Sequence, residues 1–433
     1  MRVLGMMSGT SLDAIDVALV ELSRDQDDPA TVQGRVLHHG EHPWPAQLRR
    51  DLLAVLPPST SDVGTWCRLH AQVGDAFADA ARAALNDAAD TTGAAGATGV
   101  DAPAVGGPAD LICTHGQTLY HWVQDGRAHG TLQIGDASRI AAATGLPVLF
   151  DVRSADVARG GHGAPLVPVL DQLVFGDRPT AVINIGGIAN VSLVGAGDVI
   201  AGDIGPGNAL IDAAVLRGTD GEQTCDLDGH LARAGRVDQE LLDLLLAEPF
   251  YAAPMPRSTG REHFDAAYVD RLVAQHGPAP ATGRRLPDLP DLSDLVATLT
   301  ELTALTIARA VQGLGAQRVV LSGGGIHNPV LRQRLDTLLQ GSEILDPESA
   351  GIPADAKEAV LMALIGWLSA EQVPAVPARA DGTAVTGATA PAVLGSLTPA
   401  GALPRAQHPG HSVHRLRFTS THTTLPSMMQ ETP

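Results

Sequence analysis

The sequence has few aromatic residues and few cysteines. Phenylalanine, tryptophan and tyrosine make up only 3% of the 433 residues, so the core must consist mostly of Ala, Val, Leu and Ile. The cysteines, Cys67, Cys113 and Cys225, lie far apart and show no metal-ligand spacing. Such cysteine usage suits a reducing compartment, and we expect a cytoplasmic protein.

Positive charge and long apolar runs are also scarce. Lys and Arg number 29 against 48 Asp and Glu, which gives a formal net charge of -19. This balance argues against nucleic-acid binding, which needs a basic face, and against an anionic membrane surface. No segment reaches the roughly 18 apolar residues that a membrane-spanning helix needs. An acidic protein can still bind a nucleotide when backbone N–H groups and a metal ion hold the phosphates.

Apolar segments and helical periodicity alternate along the chain. Residues 2–7, 111–118 and 146–152 read as strands, whereas 63–86 and 293–315 show helical spacing. Alternating strands and helices predict an α/β protein with mixed sheets, and the length allows two or three domains.

Two segments look irregular. Residues 88–109 are rich in Ala, Gly and Asp, and we expect a mobile surface insertion there. Residues 401–433 are rich in Pro, His and Thr, and we expect them to form a disordered tail.

The N-terminal segment MRVLGMMSGTSLDAID is an apolar strand that runs into a turn of glycine and hydroxyl residues. Gly9 adopts backbone conformations that other residues resist, and Thr10 and Ser11 add hydroxyl groups. A turn with consecutive free N–H groups binds anions, and Asp13 could hold a metal ion beside the anion. The pattern indicates a binding site for phosphate and a divalent cation, although a plain turn explains the same residues.

Similar glycine turns follow apolar strands twice more. In NIGGIAN, Gly186 and Gly187 could cradle phosphate with their N–H groups, or could simply form a tight hairpin. In SGGGIHN, the glycines at 323–325 precede a helix. A base or ribose could lie against that backbone, or the helix could pack closely on the sheet.

The motif DIGPGNALID places Asp203 at the end of a strand, before a helix. Ligands of α/β sheets bind at such strand ends, and a carboxylate there can take a proton from an attacking oxygen. Asp203 could equally cap the following helix. RSTGREHF, residues 257–264, reads as a helix start capped by Ser258 or Thr259.

Polar residues in two further motifs are candidates for binding a ligand. Arg153 and Arg159, in segment 151–168, could grip a carboxylate with two parallel hydrogen bonds, or could form ordinary surface ion pairs. His115 and Gln117, in THGQT, are candidate sugar contacts or plain turn residues.

Taken together, the ordered motifs resemble one family, the anhydro-N-acetylmuramic acid kinases of the sugar kinase, heat-shock chaperone and actin superfamily. The chain departs from the family pattern at Ala14, where glycine is usual, and at Arg257, where a KSTGRE-like motif keeps its positive charge. The matching segments, spanning about residues 1–400, are GMMSGTSLDAID, THGQT, QIGD, DVRSADVARGGHGAPLVP, NIGGIANVSL, GDIGPGN, RSTGREHF, SGGGIHN and GIPADAKEAV.

The resemblance implies a two-lobed fold of the actin and hexokinase type (ribonuclease H-like), with mixed sheets and a central cleft for ATP and sugar. It places the lobes at 1–148 and 149–370, with 371–400 returning toward the first lobe. It also leaves a homodimer open.

The implied reaction is ATP-dependent phosphotransfer to an alcohol group of 1,6-anhydro-N-acetylmuramic acid, a sugar released in cell-wall recycling. Water opens the anhydro ring and O6 takes the γ-phosphate, which gives N-acetylmuramic acid 6-phosphate and ADP. Asp203 would be the base that activates the water.

Carried over residue by residue, the resemblance implies one set of residues for ATP and another for the sugar. Asp13 would hold Mg²⁺. The ATP contacts would be Gly9, Thr10, Ser11, Leu12, Asp13, Ala14, Ile15, Asp16, Asn184, Gly186, Gly187, Gly205, Gly207, Asn208, Gly323, Gly324, Gly325 and Asn328. The sugar and its lactyl carboxylate would meet His115, Gln117, Arg153, Arg159 and Glu358.

Two rival functions fit the same motifs. One is another sugar kinase of the superfamily, in which Asp203 deprotonates a sugar hydroxyl. The other is a non-enzymatic, chaperone-like module that is switched by ATP. Dependence of ATP turnover on a sugar distinguishes these classes, because fold alone does not.

Overall fold

The structure is a computed structural model of the chain. It describes residues 1–9, 12–56, 59–91, 109–260, 263–265, 267–269, 271, 291–401 and 405–419.

The described strands and helices alternate along most of the chain. The strands are β1 (Arg2–Ser8), β2 (Ala14–Arg24), β3 (Thr31–Pro43), β4 (Leu111–Gln124), β5 (Arg127–Ile134), β6 (Val148–Phe150), β7 (Thr180–Ile185), β8 (Ile188–Val194), β9 (Ile200–Pro206), β10 (Arg318–Ser322), β11 (Glu343–Leu345), β12 (Ser396–Thr398) and β13 (Arg415–Phe418). The helices are α1 (Ala46–Val55), α2 (Val63–Thr91), α3 (Ala137–Thr144), α4 (Ser154–Val157), α5 (Pro168–Phe175), α6 (Ala209–Gly218), α7 (His230–Ala234), α8 (Gln239–Leu246), α9 (Leu292–Gly313), α10 (Pro329–Leu338) and α11 (Lys357–Ala370).

The chain divides into two compact units. Unit 1 comprises Met1–Ala164, Glu348–Ala375 and Ala392–Pro433, and unit 2 comprises Pro165–Pro347 and Val376–Pro391.

Unit 1 is built on a mixed sheet with the strand order β12-β6-β4-β1-β2-β3-β13, and β5 pairs with β4. The central strand β1 runs antiparallel to β2 and parallel to β4. Leu4 and Met6 on one face of β1 belong to a core that includes Leu52 of α1 and Phe77 of α2. On the other face, Gly5 lies directly against α11. Burial on both faces explains why β1 is almost continuously apolar.

Unit 2 contains a mixed sheet of order β11-β10-β7-β8-β9. β10 is parallel to β7 and β11, whereas β7, β8 and β9 form an antiparallel meander. Its core packs Ile183 and Leu321 of the sheet with Ile307 of α9 and Leu335 of α10. The predicted α/β class with mixed sheets is confirmed in both units.

The division of the chain differs from the expected lobes at 1–148 and 149–370. Unit 1 extends to Ala164 and also includes α11, whereas 376–391, expected to return to the first lobe, groups with unit 2. The reason for α11 is close packing on the unit 1 sheet. A Cβ atom at Gly5 would collide with the backbone of Ala359, and one at Gly366 would lie 2.8 Å from Cys113 Cβ.

The C-terminal prediction needs a correction, because residues 405–419 are not a disordered tail. β13 pairs in parallel with β3, from Arg415 beside Thr31 to Phe418 beside Gly34. The buried Arg24 donates to the carbonyl oxygens of His408 and His411, and these charge-assisted bonds hold the segment in place. The remainder of the predicted tail, at 402–404 and 420–433, lies outside the described residues.

The predicted insertion at 88–109 is wrong for its first residues, because α2 continues to Thr91. Ala88 is fully buried in the unit 1 core, and alanine is the best helix former, so this face extends the helix. Residues 92–108 lie outside the described residues. No described helix is both long enough and apolar enough to cross a membrane.

Candidate active site

The candidate residues fall into one group in unit 1 and another in unit 2. In unit 1, the first glycine turn follows β1 and leads into β2. The carbonyl oxygen of Gly9 accepts hydrogen bonds from the Leu12 N–H and from Gln117 Nε2, at 3.3 and 3.2 Å. Thr10 and Ser11 lie outside the described residues. Gln117 therefore braces the turn from β4.

Three residues after this turn, Leu12, Ala14 and Ile15, have no polar side chain that could bind a nucleotide. Leu12 and Ile15 are buried in the core, and Ala14 begins β2. The Leu12 carbonyl oxygen accepts a hydrogen bond from Arg49 Nε at 2.7 Å. Any ATP contact made by Leu12, Ala14 or Ile15 would therefore have to come from the backbone.

Asp13 and Asp16 are carboxylates in different surroundings. Asp13 is 76% exposed and lies 3.7 Å from Arg49. Asp16 is half-buried, and no Lys or Arg of the described residues lies within ion-pair distance of it. Its burial, and then the negative charges of Glu41, Glu358, Asp355 and Asp13, raise the pKa of Asp16 to about 7.

His115 holds Arg153 rather than facing outward. Arg153 Nε donates to His115 Nε2 at 2.8 Å, so His115 Nδ1 carries the proton and donates to the Gly116 carbonyl at 3.1 Å. Burial, together with the Arg153 charge, lowers the pKa of His115 to about 3. The neutral imidazole is thus an acceptor that orients a guanidinium.

Arg153 and Arg159 differ in how well they are held. Arg153 also donates through Nη1 to the Gly163 carbonyl at 2.5 Å, and burial lowers its pKa to about 10, so it stays charged at neutral pH. No described residue accepts a hydrogen bond from its Nη2. Arg159 is exposed and donates to the Ala155 carbonyl of its own helical turn. Of the two, Arg153 is the better oriented for an anion.

Glu358 lies in the first turn of α11. Water reaches its side chain, yet the protein atoms around it raise the pKa of its carboxyl by desolvation, against the charges of Lys357 and Arg153. Unit 1 therefore brings a cation, Arg153, and two carboxylates with raised pKa values, Asp16 and Glu358, into electrostatic range of one another.

In unit 2, the turn between β7 and β8 and the turn after β9 are joined by hydrogen bonds. The Gly186 carbonyl accepts from the Asn208 N–H, and the Gly187 carbonyl accepts from the Gly207 N–H, at 2.8 and 2.9 Å. A Cβ atom at Gly207 would collide with the Gly186 carbonyl oxygen, which explains the glycine. The N–H groups of Gly207 and Asn208 are thus occupied. Those of Gly186 and Gly187 meet no acceptor within the described ranges.

The triple-glycine turn follows β10 and packs against the end of β7. Gly323 has a φ of +85°, and a Cβ atom there would lie 2.5 Å from Asn184 Oδ1. Gly325 packs on the Ile185 side chain, whereas Gly324 is exposed and has no atom within 4 Å of a Cβ position. Gly324 is therefore the open face of this turn.

Asn328 follows the triple-glycine turn and caps α10. Its Oδ1 accepts from the N–H groups of Val330 and Leu331, at 3.0 and 3.2 Å. The side-chain oxygen of Asn328 therefore serves as the cap of this helix.

Asp203 lies in β9, and its carboxylate does not cap the next helix, because Asn208 occupies the position before α6. Instead, the Thr259 N–H donates to Asp203 Oδ2 at 2.9 Å. The Asp203 N–H donates to the Arg257 carbonyl at 2.8 Å, and Arg257 Nε donates to the Asp203 carbonyl at 3.1 Å.

The sequence interpretation missed Arg257 and Thr259 as partners of Asp203. RSTGREHF reads locally as a helix cap, and the contact that decides its role joins residues 56 positions apart. The charge kept at Arg257, where the resembled motif has lysine, was the available signal.

The described residues include no group of three or more His, Cys, Asp or Glu side chains that could hold a metal ion. Mg²⁺ does not require one, because it usually keeps several waters and binds one or two carboxylates together with substrate phosphates. Asp16, flanked by like charges, fits that donor set.

Strand-end glycine turns and a braced carboxylate in an α/β fold are typical of phosphotransferases that use a nucleotide. The family model described as anhydro-N-acetylmuramic acid kinase matches residues 1–400. The chain therefore belongs to the anhydro-N-acetylmuramic acid kinase family, and it is a kinase that transfers phosphate to an alcohol group.

Curated relatives agree over most of their length. The anhydro-N-acetylmuramic acid kinase of Streptomyces coelicolor is 43% identical over 403 residues, covering 92% of this chain and 94% of the relative. That of Rhodococcus erythropolis is 42% identical with the same coverage, and that of Gloeobacter violaceus is 37% identical, covering 92% and 98%. Among solved structures, a ROK hexokinase from Thermus thermophilus is 18% identical, covering 84% of this chain and 98% of that chain, with a TM-score of 0.33.

Proposed function

We propose that this chain uses ATP to convert 1,6-anhydro-N-acetylmuramic acid into N-acetylmuramic acid 6-phosphate and ADP, as the names of its relatives suggest. The observation that carries the proposal is Asp203, a carboxylate at a glycine-rich strand end whose Oδ2 accepts a backbone hydrogen bond. That contact orients the carboxylate for proton transfer.

The reaction balances with Asp203 as the base. A water oxygen forms a bond to the anomeric carbon while Asp203 takes a proton from that water. The bond between the anomeric carbon and O6 breaks, and O6 then attacks the γ-phosphorus as the bond to ADP breaks. Asp203 later releases its proton to solvent. Positioning and charge neutralisation should supply most of the rate, because phosphoryl transfer needs little covalent help.

The phosphates would meet backbone N–H groups. Gly186 and Gly187 have N–H groups without acceptors in the described part of unit 2, and the open Gly324 suits a flat base or ribose. Asp16, rather than the exposed Asp13, would hold Mg²⁺ together with phosphate oxygens. When bound, Mg²⁺ neutralises charge that develops on the transferred phosphate.

The lactyl carboxylate of the sugar would meet Arg153. The guanidinium is held at Nε and Nη1, which leaves Nη2 for a ligand. His115 and Gln117 would act behind the sugar by holding Arg153 and the first glycine turn. We place Glu358 beside the sugar and give Arg159 no direct role.

The experiment measures ADP release by the purified chain with Mg²⁺ and ATP. Four reactions are compared: 1,6-anhydro-N-acetylmuramic acid, N-acetylmuramic acid, glucose and no sugar. We expect turnover with the anhydro sugar alone. Turnover with glucose would instead indicate a general sugar kinase, and turnover without sugar would indicate an ATP-switched module.

A further inference from the structure

A segment far from Asp203 in sequence holds it on three sides. The Asp203 N–H donates to the Arg257 carbonyl, Arg257 Nε donates back to the Asp203 carbonyl, and the Thr259 N–H donates to Asp203 Oδ2. The last bond acts on the carboxylate itself. Its geometry depends on where residues 257–259 lie relative to β9.

The Arg257 guanidinium joins that segment to β9. Nη2 donates to the Ile204 carbonyl at 3.0 Å, and Nη1 donates to the carbonyls of Tyr251 and Ala253, each at 2.8 Å. Together with the Nε bond to Asp203, one side chain connects four carbonyl oxygens on two stretches of chain. A planar fork of N–H donors is suited to this task, and a lysine ammonium has only three donors.

Aromatic residues pack around Arg257 and the segment that it joins to β9. Arg257 lies 4.5 Å from the centre of the Phe250 ring, and the Tyr251 and Phe264 rings are stacked 6.2 Å apart. Four of the nine Phe and Tyr residues of this aromatic-poor chain, the fourth being Tyr268, gather here. The Arg257 guanidinium is therefore packed against one of these aromatic rings as well as hydrogen-bonded.

We propose that Arg257 is a positioning residue for the reaction, and that it acts through the Thr259 N–H to fix the rotation of the Asp203 carboxylate. In this role Arg257 acts without contacting either substrate. The inference rests on the proposed function, since it assumes that Asp203 is the base. A carboxylate turned away from its water loses rate without losing affinity for the substrates.

The test compares Arg257→Met and Arg257→Lys with a matched control, Arg309→Met. Arg257 and Arg309 both line a cavity of about 420 Å³ in unit 2. Arg309 is exposed, and its guanidinium has no hydrogen-bond partner among residues that the structure describes, so Arg309→Met removes a guanidinium from the same wall without altering the contacts of Asp203. The readouts are kcat, the KM values for ATP and sugar, and the thermal midpoint.

We expect Arg257→Met to lower kcat by about 10- to 100-fold with both KM values within about twofold, a split that reports a lost transition-state interaction. Arg257→Lys should recover part of that loss, and Arg309→Met should match the wild type. If Arg257→Met does not fold, Arg257→Lys decides: a several-fold lower kcat at unchanged KM supports the inference.

A wild-type kcat in a folded Arg257→Met, or in Arg257→Lys when the methionine variant does not fold, would overturn the positioning role. So would a loss that appears only in KM. Failure of the proposed function is a separate result, because the wild-type chain would then show no turnover that depends on the anhydro sugar.

Discussion

Two aspartates, Asp203 and Asp16, differ in what surrounds their carboxylates. Asp203 accepts a backbone hydrogen bond from Thr259, which orients it. Asp16 is half-buried among like charges, which raises its pKa to about 7. The first environment suits a base, and the second suits a group that binds a proton or a cation.

Replacing Asp203 with asparagine should separate chemistry from binding. Asparagine keeps an oxygen for the Thr259 N–H but cannot take a proton, so kcat should fall by about 10² to 10⁴-fold. The dissociation constant for ATP, measured by titration calorimetry, should stay within about twofold. Asp198→Asn, at an aspartate that accepts a hydrogen bond from the Ala380 N–H, is the control. Joint loss of ATP binding and turnover would mean that Asp203 is structural.

Asp16 should make stability depend on pH. Its pKa is about 7 in the folded chain against 3.8 unfolded, so the folded state holds a proton that the unfolded state releases between those values. The contribution of Asp16 to stability is therefore present at low pH and is lost as pH rises through 7.

Asp16→Asn should remove the destabilisation that comes from ionising this half-buried carboxyl at high pH. Its gain over the wild type in the free energy of unfolding, measured by denaturant, should be larger at pH 8 than at pH 5 by about 1 to 2 kcal/mol once solvent screening is allowed for. Asp13→Asn, at the exposed carboxylate beside Arg49, should show no such pH-dependent gain. An equal gain for Asp16→Asn at both pH values would contradict the assignment. Mg²⁺ should stabilise the wild type more than Asp16→Asn if this carboxylate holds the ion.

At the scale of elements, the glycine turns are explained by close contacts as much as by ligands. The turn after β9 is hydrogen-bonded to the turn between β7 and β8, and the turn after β10 packs on the end of β7. These strand ends therefore form one layer in unit 2. A bulky residue at one of these turns should lower the stability of unit 2 even when no nucleotide is bound.

Gly323→Ala should destabilise unit 2. Its φ of +85° is unfavourable for alanine, and the added Cβ would lie 2.5 Å from Asn184 Oδ1 and 2.8 Å from the Ile185 nitrogen and oxygen. We expect a loss of about 1 to 3 kcal/mol in the free energy of unfolding, measured by denaturant without nucleotide. Gly324→Ala in the same turn meets nothing within 4 Å and should be nearly neutral. Equal stability of the two variants would count against this explanation.

At the scale of the whole molecule, each unit has its own core, and the C-terminal segment completes the unit 1 sheet. Arg24 and Glu371 form a pair whose side chains are 3% and 2% exposed, with Nε and Oε2 3.4 Å apart. Glu371 also accepts from the N–H groups of Gln407 and His408. The pair thus ties a segment beyond the family match to α11 and β2.

Glu371→Gln should therefore loosen unit 1. Because Arg24 would stay buried without its counter-charge, the free energy of unfolding should fall by about 3 kcal/mol. Glu343→Gln removes one partner of an exposed pair with Arg178 at 2.7 Å, and it should lower the free energy of unfolding by less than about 1 kcal/mol. Hydrogen exchange should quicken in β3 and β13 and stay unchanged in β7 to β9. Uniform quickening across both units would refute a local effect.

The sequence by itself determined the α/β class, most strand and helix positions, the glycine turns and the family. These follow from local patterns, because periodicity fixes which face is buried and glycine fixes where the backbone turns sharply. Asp203 was found as a strand-end carboxylate for the same reason. From the sequence alone, Asp203 could also cap the following helix, and its hydrogen bond from the Thr259 N–H distinguishes the two roles.

Only the tertiary structure decided which side chains act together. It joined Arg257 and Thr259 to Asp203, turned His115 toward Arg153, and distinguished the half-buried Asp16 from its exposed neighbour. It also placed α11 on the unit 1 sheet. Hydrogen-bond partners and burial depend on packing between residues far apart in the chain, and neither propensity nor spacing along the sequence contains that information.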